Sequence, residues 1–231
     1  MIIDHDNAKY RERWNVLEKN KYNGAFYYSK EIVQNIIPNV DTDRNWITIN
    51  SPGQGIDHAI VFVHNNLHPE NYEWLKEEGY TDLIMVCGIP ETCEKVSHIG
   101  QPVYLPLSVD LEYLKQFKAV KTKKTAFAGR KTKRSGIKLP AGIDYIEGIK
   151  RQEFLKELAR HRKVYAVGRV AIEAAALGCE ILPYDPRFPD TSIWKVLDNR
   201  EAAKMLQKEL DRIDGQGMGK GILQFQRVAG S

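Results

Sequence analysis

The sequence predicts an α/β protein in which the strands lie in parallel β-sheets. Short apolar strands alternate with segments of helical periodicity along most of the chain. The stretches AIVFV at 59–63 and LIMVC at 83–87 are apolar at every position, which is typical of strands buried on both faces. Residues 163–185 read as strand, helix and strand, which is the building block of a parallel sheet.

Composition limits the domain organisation and the possible functions. The chain has 231 residues, of which 42% are hydrophobic and 28% charged, so it can form one large or two small globular domains. Its net charge of +4 does not by itself indicate a nucleic-acid partner. Residues 1–14 are too charged for a signal peptide, and no apolar run approaches the roughly 20 residues of a membrane span.

The cysteines favour a reducing compartment. Their number is odd, and no pair has metal-ligand spacing with a matching second pair. Cys87 and Cys179 fall in apolar strands, where we expect buried free thiols. The expected location is therefore cytoplasmic.

The first half of the chain contains the elements of one domain. Besides the two apolar runs, strands are predicted at 22–28 (YNGAFYY), 46–49 (WITI) and 102–105 (PVYL). Helices are predicted at 7–19, from the cap Ser29 to Pro38, and at 69–79, 90–98 and 109–117. The loop at 51–57 lacks the Lys-Ser/Thr ending of a P-loop, and a plain connection is favoured there. At 4–6, the run Asp-His-Asp suggests a metal site, but a solvated terminus is favoured because no further ligands cluster nearby.

His64 follows the apolar run at 59–63, where that strand ends. Ligands of open α/β sheets bind at the carboxyl ends of strands, so His64 is a candidate for contact with a substrate or acceptor. A loop histidine bonded to the backbone explains the same residue about equally well.

A lysine-rich stretch at 118–124 marks the domain boundary. A solvated linker is favoured over a nucleic-acid surface, because aromatic side chains that could stack on bases are not interleaved with the lysines. The predicted organisation is an N-terminal domain at 1–117, this basic linker, a C-terminal domain at 125–214 and a flexible glycine-rich tail at 215–231.

A glycine and a group of cations follow the strand predicted at 125–128 (TAFA). The residues are Gly129, Arg130, Lys131, Lys133 and Arg134. The planar fork of arginine suits bidentate phosphate binding and lysine adds a point charge, so this loop is a candidate diphosphate site. An exposed basic loop is the less favoured alternative.

The remaining elements lead to one unexpected acid. Strands are predicted at 143–146, 164–167 and 179–182, and helices at 151–161, 169–177, 191–197 and 199–213. Glu173 lies in the helix at 169–177 among four alanines, where close packing on a sheet favours neutral side chains. A carboxylate at such a position indicates a ligand contact.

Three segments resemble glycosyltransferases of the GT-B type. They are PVYLPLSVDLEYLKQF, TAFAGRKTKRSG and VYAVGRVAIEAAALGCEILPYD, which together cover mainly residues 100–190. The resemblance implies two Rossmann-like domains that face a cleft. It also implies a nucleotide sugar as the donor substrate, with no further cofactor, and an acceptor that the sequence does not identify. No Asp-x-Asp motif occurs in a suitable context, so we expect a metal-independent reaction.

The resemblance also assigns roles to residues of the C-terminal domain. Glu173 would accept hydrogen bonds from the ribose hydroxyls, and Gly168 and Arg169 would lie near the diphosphate at a helix start. In the basic loop, Gly129 and Arg130, with Lys133 or Arg134, would hold the same diphosphate as it leaves. His64 would contact the acceptor or the sugar.

Two alternatives to the glycosyltransferase remain open. Tyr165 stands near the place where many retaining members carry a second acid, and the N-terminal domain is short, so the chain could be a non-catalytic binding or assembly module. The cations at 118–134 leave a nucleic-acid-binding protein as a third, less favoured hypothesis.

Overall fold

The computed structural model describes residues 2–3, 24–47, 58–63, 72–77, 79–129 and 136–228. Side chains are described within these ranges except at positions 2, 3, 26 and 216–228. Several predicted features lie outside the described residues: the run at 4–6, the helix at 7–19, the loop at 51–57, His64, Arg130, Lys131, Lys133 and Arg134.

The strands form two parallel sheets, which confirms the predicted α/β class. The first sheet has the order β1-β2-β3-β4-β5 and the second has the order β7-β6-β8-β9. All neighbouring strands pair in parallel. The strands are β1 (Ile2–Ile3), β2 (Asn45–Ile47), β3 (Ala59–Val63), β4 (Leu83–Cys87), β5 (Gln101–Tyr104), β6 (Lys123–Ala128), β7 (Asp144–Ile146), β8 (His161–Tyr165) and β9 (Glu180–Leu182).

Helices connect the strands and cover the sheets. They are α1 (Gly24–Glu31), α2 (Glu73–Glu77), α3 (Pro90–Val96), α4 (Leu111–Lys115), α5 (Arg151–Ala159), α6 (Arg169–Ala176) and α7 (Asn199–Val228). A π-turn at Ile32–Ile36 and a 3-10 turn at Ile37–Asn39 follow α1, and a further 3-10 turn lies at Thr191–Ile193. Within the described ranges, no helix combines the length and the apolar character needed to cross a membrane.

The first sheet is buried on both faces, as its apolar strands predict. Side chains of a strand alternate between the two faces of its sheet. Ile60 and Phe62 of β3 accordingly belong to one hydrophobic core, and Val61 and Val63 belong to another. Both β3 and β4 are buried along their whole length.

The end of the chain returns to the first sheet. Ala202, Ala203, Leu206 and Leu210 of α7 lie in the same core as Ile60 of β3. Their spacing of one, three and four residues places them on one face of a helix. The core of the first sheet is therefore completed by residues that follow the second sheet in the sequence.

The second sheet packs against small side chains. Ala126 and Ala128 of β6 share a core with Ala171 and Ala174 of α6, and Phe154 of α5 fills the same core. Because alanine side chains are short, α6 can lie close to the strands, as the alanine-rich sequence predicts.

The described cysteines agree with the sequence prediction. Cys87 and Cys179 are buried free thiols, and Cys93 is a partly exposed free thiol. Burial raises the pKa of both buried thiols, which keeps them protonated and unreactive at neutral pH.

The strand predicted at 22–28 is wrong, because Gly24–Glu31 is the helix α1. Aromatic residues favour strands, but Tyr27 and Tyr28 continue without a turn into the apolar helical pattern that includes Ile32. Packing of Tyr28 into the core of the first sheet therefore overrides local propensity. Ser29 is fully buried inside α1 and does not cap the following helix.

Other element boundaries move along the chain. The strand predicted at 164–167 begins earlier, at His161, because α5 ends at Ala159. The helix predicted at 191–197 is only the 3-10 turn Thr191–Ile193, capped by Asp190. The backbone of α7 stays helical past Gly215 to Val228, where the sequence predicts a flexible tail.

Candidate functional site

A reversal of strand order marks the carboxyl edge of the second sheet, where its strands end. From β6 the chain proceeds to β7 on one side, and from β8 it proceeds to β9 on the other side. Counted from its own first strand, the sheet has the order 2-1-3-4, which is the start of a common doubly wound arrangement. Ligands of such sheets bind outside the carboxyl ends at the reversal, which here lies between β6 and β8.

Glycines with unusual backbone conformations follow both strands at this reversal. Gly129 comes directly after β6 and has a φ of +152°, and Gly168 begins α6 with a φ of +62°. Residues with a side chain rarely adopt such angles. Within the described part of the chain, no heavy atom lies within 4 Å of the point that a Cβ of Gly168 would occupy. The backbone is therefore open where α6 begins.

The first turn of α6 supplies polar groups to this edge. The carbonyl oxygen of Gly168 accepts hydrogen bonds from the backbone N–H groups of Ala171 and Ile172. The N–H groups that precede Ala171 lie in the first turn, where a helix has no carbonyl partners of its own for them. Together with the helix dipole, such groups favour an anion at the helix start.

Glu173 lies inside the protein rather than at its surface. Its side chain is 0% exposed, and Oε1 accepts hydrogen bonds from Arg151 at 2.8 Å and from Nε of Arg169 at 3.0 Å. Arg169 is buried as well, so its guanidinium faces the interior while its backbone N–H belongs to the first turn of α6. A buried pairing with two arginines thus explains why an acid stands among the alanines of α6.

A second carboxylate balances the charge of the two arginines. Glu31, the last residue of α1, contacts the guanidinium of Arg169 closely and accepts a hydrogen bond from Arg151 at 3.3 Å. Two acids and two arginines, all buried, therefore form one neutral group, which we call the ion cluster: Glu31, Arg151, Arg169 and Glu173. Buried charges of this kind are tolerated when they are paired and hydrogen-bonded.

Further groups surround the ion cluster and satisfy its polar atoms. Glu31 Oε2 accepts hydrogen bonds from the side chain of Asn199 at 2.8 Å and from the backbone N–H of Asp110 at 3.0 Å. Arg151 stacks over the ring of Tyr27, with its central carbon 4.2 Å from the ring centre. Desolvation by burial raises the pKa of the neighbouring Tyr28, whose hydroxyl stays protonated.

The ion cluster joins the two sheets. Glu31 ends α1, whose Tyr28 lies in a core of the first sheet. Arg169 and Glu173 belong to α6, which packs on the second sheet, and Arg151 begins α5. Asn199 begins α7, the helix that returns to the first sheet. The backbone at the start of α6 is therefore held in place by residues from both halves of the chain.

A third loop reaches the same carboxyl edge after β9. The ring of Tyr184 packs edge-on against Phe127 of β6, with ring centres 5.2 Å apart. Burial raises the pKa of Tyr184 to about 12. Next to it, the buried Asp185 accepts hydrogen bonds from Nε of Arg187 at 2.9 Å and from its NH2 group at 2.6 Å. None of the predicted site residues belongs to this loop.

The structure brings only part of the predicted site together. Gly129 and Gly168 lie at the ends of neighbouring strands, as the diphosphate hypothesis requires. Arg169 and Glu173 direct their side chains into the ion cluster. The contacts predicted for His64, Arg130, Lys133 and Arg134 involve residues outside the described ranges, and they stay predictions.

Sequence reasoning missed two members of the ion cluster. Arg151 has the spacing of the buried face of α5, three, four and seven residues before Phe154, Leu155 and Leu158. A charged residue on an apolar face is a signal for a buried ion pair. Glu31 lies within the helix predicted from Ser29 to Pro38, where no local feature marked it as a buried charge.

No protein-family model matches the chain, and neither the curated proteins nor the solved structures include a significant match.

Proposed function

We propose that this protein is a glycosyltransferase that binds the diphosphate of a nucleotide sugar at the reversal between β6 and β8. One observation carries the proposal. After the neighbouring strands β6 and β8, the chain continues to the next strand on opposite sides of the sheet. Each of the two strands is followed by a glycine with positive φ, Gly129 after β6 and Gly168 after β8. In doubly wound sheets a ligand crevice forms at such a reversal, and the glycines would leave the backbone open to a phosphate-bearing ligand.

The diphosphate would be held from two sides. On one side is the start of α6, with its N–H groups and positive dipole. On the other side, the sequence after Gly129 supplies Arg130, Lys133 and Arg134. These charges would stabilise the negative diphosphate that departs when the sugar is transferred, which is the main electrostatic demand of the reaction. His64 remains the candidate for contact with the sugar or acceptor.

The ion cluster has a positioning role in this proposal. Arg169 and Glu173 are bonded to each other within one turn of α6, and Arg169 is also bonded to Glu31 of α1. These bonds fix the first turn of α6 relative to α1 and, through Arg151, to α5. A ribose could reach the fully buried Glu173 only if a bond to an arginine opened. The proposal therefore rests on the diphosphate contacts and not on the ribose contact that the resemblance implies.

A binding module without transferase activity is the second candidate, favoured by the same burial. The carboxylate that would hold the ribose is 0% exposed and already pairs with Arg151 and Arg169. Tyr165, where the resemblance would place a second acid, ends β8. Such a protein would bind a nucleotide but would leave its glycosidic phosphate bond intact.

Calorimetry with nucleotide ligands tests the proposal. UDP, GDP, ADP, TDP and their sugars are titrated into the wild-type chain and into a variant with Arg130, Lys133 and Arg134 changed to Ala. We expect a dissociation constant below about 1 mM for at least one ligand, and a loss of about 1,000-fold or more in the variant, since each of the three charged hydrogen bonds contributes about 1.5–3 kcal/mol.

A charge-matched variant serves as control. Lys118, Lys124 and Lys208 are exposed and do not lie at the carboxyl edge, so changing them to Ala removes the same charge without affecting the proposed site. Binding should be unchanged in this control. Release of free nucleotide from the bound sugar, with and without candidate acceptors, then separates the transferase from the binding module. Absence of binding across the whole panel would contradict both candidates.

A further inference from the structure

A second polar cluster lies at the amino edge of the second sheet, opposite the proposed nucleotide site. His161 begins β8, Asp144 begins β7 and Lys123 begins β6, and Glu157 reaches the same place from α5. The ring of His161 is 0% exposed, whereas the side chain of Asp144 is 52% exposed. The cluster thus has a buried histidine at its base and a carboxylate at the solvent boundary.

The hydrogen bonds of His161 fix the position of its proton. Nδ1 lies 2.9 Å from the backbone carbonyl oxygen of Glu157. A carbonyl oxygen can only accept, so Nδ1 must donate. In the neutral ring, Nε2 then carries a lone pair, and it lies 3.0 Å from Oδ2 of Asp144. An ionised carboxylate is also only an acceptor, so a positive centre must bind between these two atoms for the contact to be favourable.

The positive centre is either a proton on Nε2 or a metal ion. His161 is held as metal-binding histidines typically are. Its Nδ1 donates to a backbone carbonyl, which orients the ring and leaves Nε2 free to bind a metal ion. A third ligand is at hand in Glu157. One ligand atom from each of Asp144, Glu157 and His161 lies within 4.8 Å of the other two.

Lys123 at present supplies positive charge to the two carboxylates. Its Nζ lies 3.3 Å from Asp144 and contacts Glu157 closely. The lysine stem is flexible, and its side chain is partly exposed, so the ammonium group can move into solvent. A divalent ion, with its greater charge, would take its place between the carboxylates.

We propose that Asp144, Glu157 and His161 bind a divalent transition-metal ion of the zinc class, with Lys123 as the cation that the metal displaces. One imidazole nitrogen, two carboxylate oxygens and one water complete a tetrahedral set for Zn²⁺. Mg²⁺ and Ca²⁺ favour all-oxygen ligands and would bind more weakly at an imidazole. The bound ion would join the end of α5 to the starts of β7 and β8.

This site is independent of the proposed glycosyltransferase function. It lies at the opposite ends of the strands from Gly129 and Gly168, and none of its ligands belongs to the ion cluster. Its test therefore measures metal binding and thermal stability and needs no nucleotide.

The experiment is a titration of the full-length, tag-free, metal-stripped chain with Zn²⁺ in competition with a chromophoric chelator. We expect one ion per chain and a rise in the thermal midpoint on binding. Co²⁺ should give the visible absorption of a tetrahedral site with nitrogen and oxygen ligands, and Mg²⁺ at the same concentration should have no effect.

The variants change the partly exposed ligands and leave the buried His161 intact, so that the protein stays folded. Asp144→Asn and Glu157→Gln should each weaken Zn²⁺ binding by about tenfold or more, because each removes a charged ligand. Lys123→Met should strengthen binding by about tenfold, because it removes a competing positive charge. Glu180→Gln is the matched control, since Glu180 also pairs with a lysine, Lys163 at 2.9 Å, but has no part in this cluster.

Two results would overturn the proposal. One is an absence of Zn²⁺ binding by both the wild-type chain and Lys123→Met while circular dichroism shows both to be folded. The other is Zn²⁺ binding that persists unchanged in Asp144→Asn and Glu157→Gln. In either case the positive centre is a proton, and nitrogen NMR of His161 would show both ring nitrogens protonated.

Discussion

The two parallel sheets use their carboxyl edges differently. The described strands of the first sheet follow one another in sequence order, whereas the second sheet reverses direction between β6 and β8. At the end of β4, a Cβ on Gly88 would lie 2.6 Å from the side chain of Leu107. At the end of β8, Gly168 has no such neighbour among the described residues. A glycine thus allows close packing in one sheet and an open, unusual backbone in the other.

This difference indicates a division of tasks. The edge at β4 is filled by Leu107, which lies in the segment after β5. The first sheet therefore serves there as a packed support. The edge at β8 leaves backbone groups available where ligands of doubly wound sheets bind. The ion cluster then connects the support to the open edge, because Glu31 ends α1, which packs on the first sheet, and Glu173 lies in α6, which packs on the second.

The largest effect is expected from breaking the ion cluster. Arg151→Met should lower the free energy of unfolding by about 3–5 kcal/mol, because it leaves a buried carboxylate without compensation. Arg151 is almost fully buried between Glu31 and Glu173. The substitution therefore weakens the contact that joins the elements of the two sheets. Urea unfolding followed by circular dichroism and tryptophan fluorescence measures it.

A control and a rescue accompany this variant. Arg212→Met removes an exposed arginine that pairs with Glu209 within α7, and should change the free energy of unfolding by less than about 1 kcal/mol. Adding Glu173→Gln to Arg151→Met restores the charge balance, so the double variant should lose less than the sum of the single losses. The cluster would have no role in joining the sheets if Arg151→Met behaved like Arg212→Met.

A pair of glycine substitutions compares the two edges directly. Gly88→Ala should cost about 1–3 kcal/mol through overpacking against Leu107 and leave nucleotide binding unchanged. Gly168→Ala meets no described atom but must adopt a φ of +62°, which costs about 1–3 kcal/mol of backbone strain. It should in addition weaken nucleotide binding, because strain is relieved by moving the first turn of α6.

Unfolding and calorimetric titration of the same two proteins separate these effects. Leu107→Ala is a useful partner for Gly88→Ala, because it removes the crowding side chain and should recover part of the loss. If Gly88→Ala weakened nucleotide binding as much as Gly168→Ala, the proposed difference between the edges would be wrong.

Local patterns predicted the strands better than they predicted the site. The apolar run of β3 is readable from sequence because both faces of that strand are buried. Glu173 stood out because an acid among alanines contradicts local packing. Its environment depends on Glu31, which is 138 residues from Arg169, and no local pattern encodes such a distance. The reversal of strand order likewise arises from the arrangement of whole strands, which one sequence does not display.

A histidine at the amino edge of the first sheet provides the smallest effect. His58 precedes β3 and lies between Asp82 and Asp43, whose hydrogen bonds raise the pKa of the imidazole above its ordinary value of 6.5. Burial opposes the shift of Asp82, but its bonds with His58 and Arg44 lower the pKa of that carboxyl overall. Unlike the buried His161 of the second sheet, this ring is 40% exposed, so solvent screens its pairs.

The direction of the pH dependence follows from these shifts. A histidine with a raised folded pKa stabilises the protein fully below pH 6.5, and this contribution is lost as the pH rises through the folded pKa. The carboxylates act in the opposite sense, since Asp82 contributes above pH 3.8 and loses its contribution as the pH falls through its lowered folded pKa. The cluster should therefore stabilise the first sheet most between these values.

His58→Asn tests this dependence with little backbone strain, because asparagine tolerates the φ of +58° at this position. The variant should lose less than about 1 kcal/mol at about pH 5.5, and a smaller amount at about pH 9, because the wild-type imidazole gives up its proton as the pH rises through its raised pKa. Urea unfolding of both proteins at the two pH values measures the difference. His98→Asn, at an exposed pair with Glu73, controls for the loss of any surface histidine. An equal loss at both pH values would show that His58 acts through packing rather than charge, and the amino edge of the first sheet would then hold no titrating cluster.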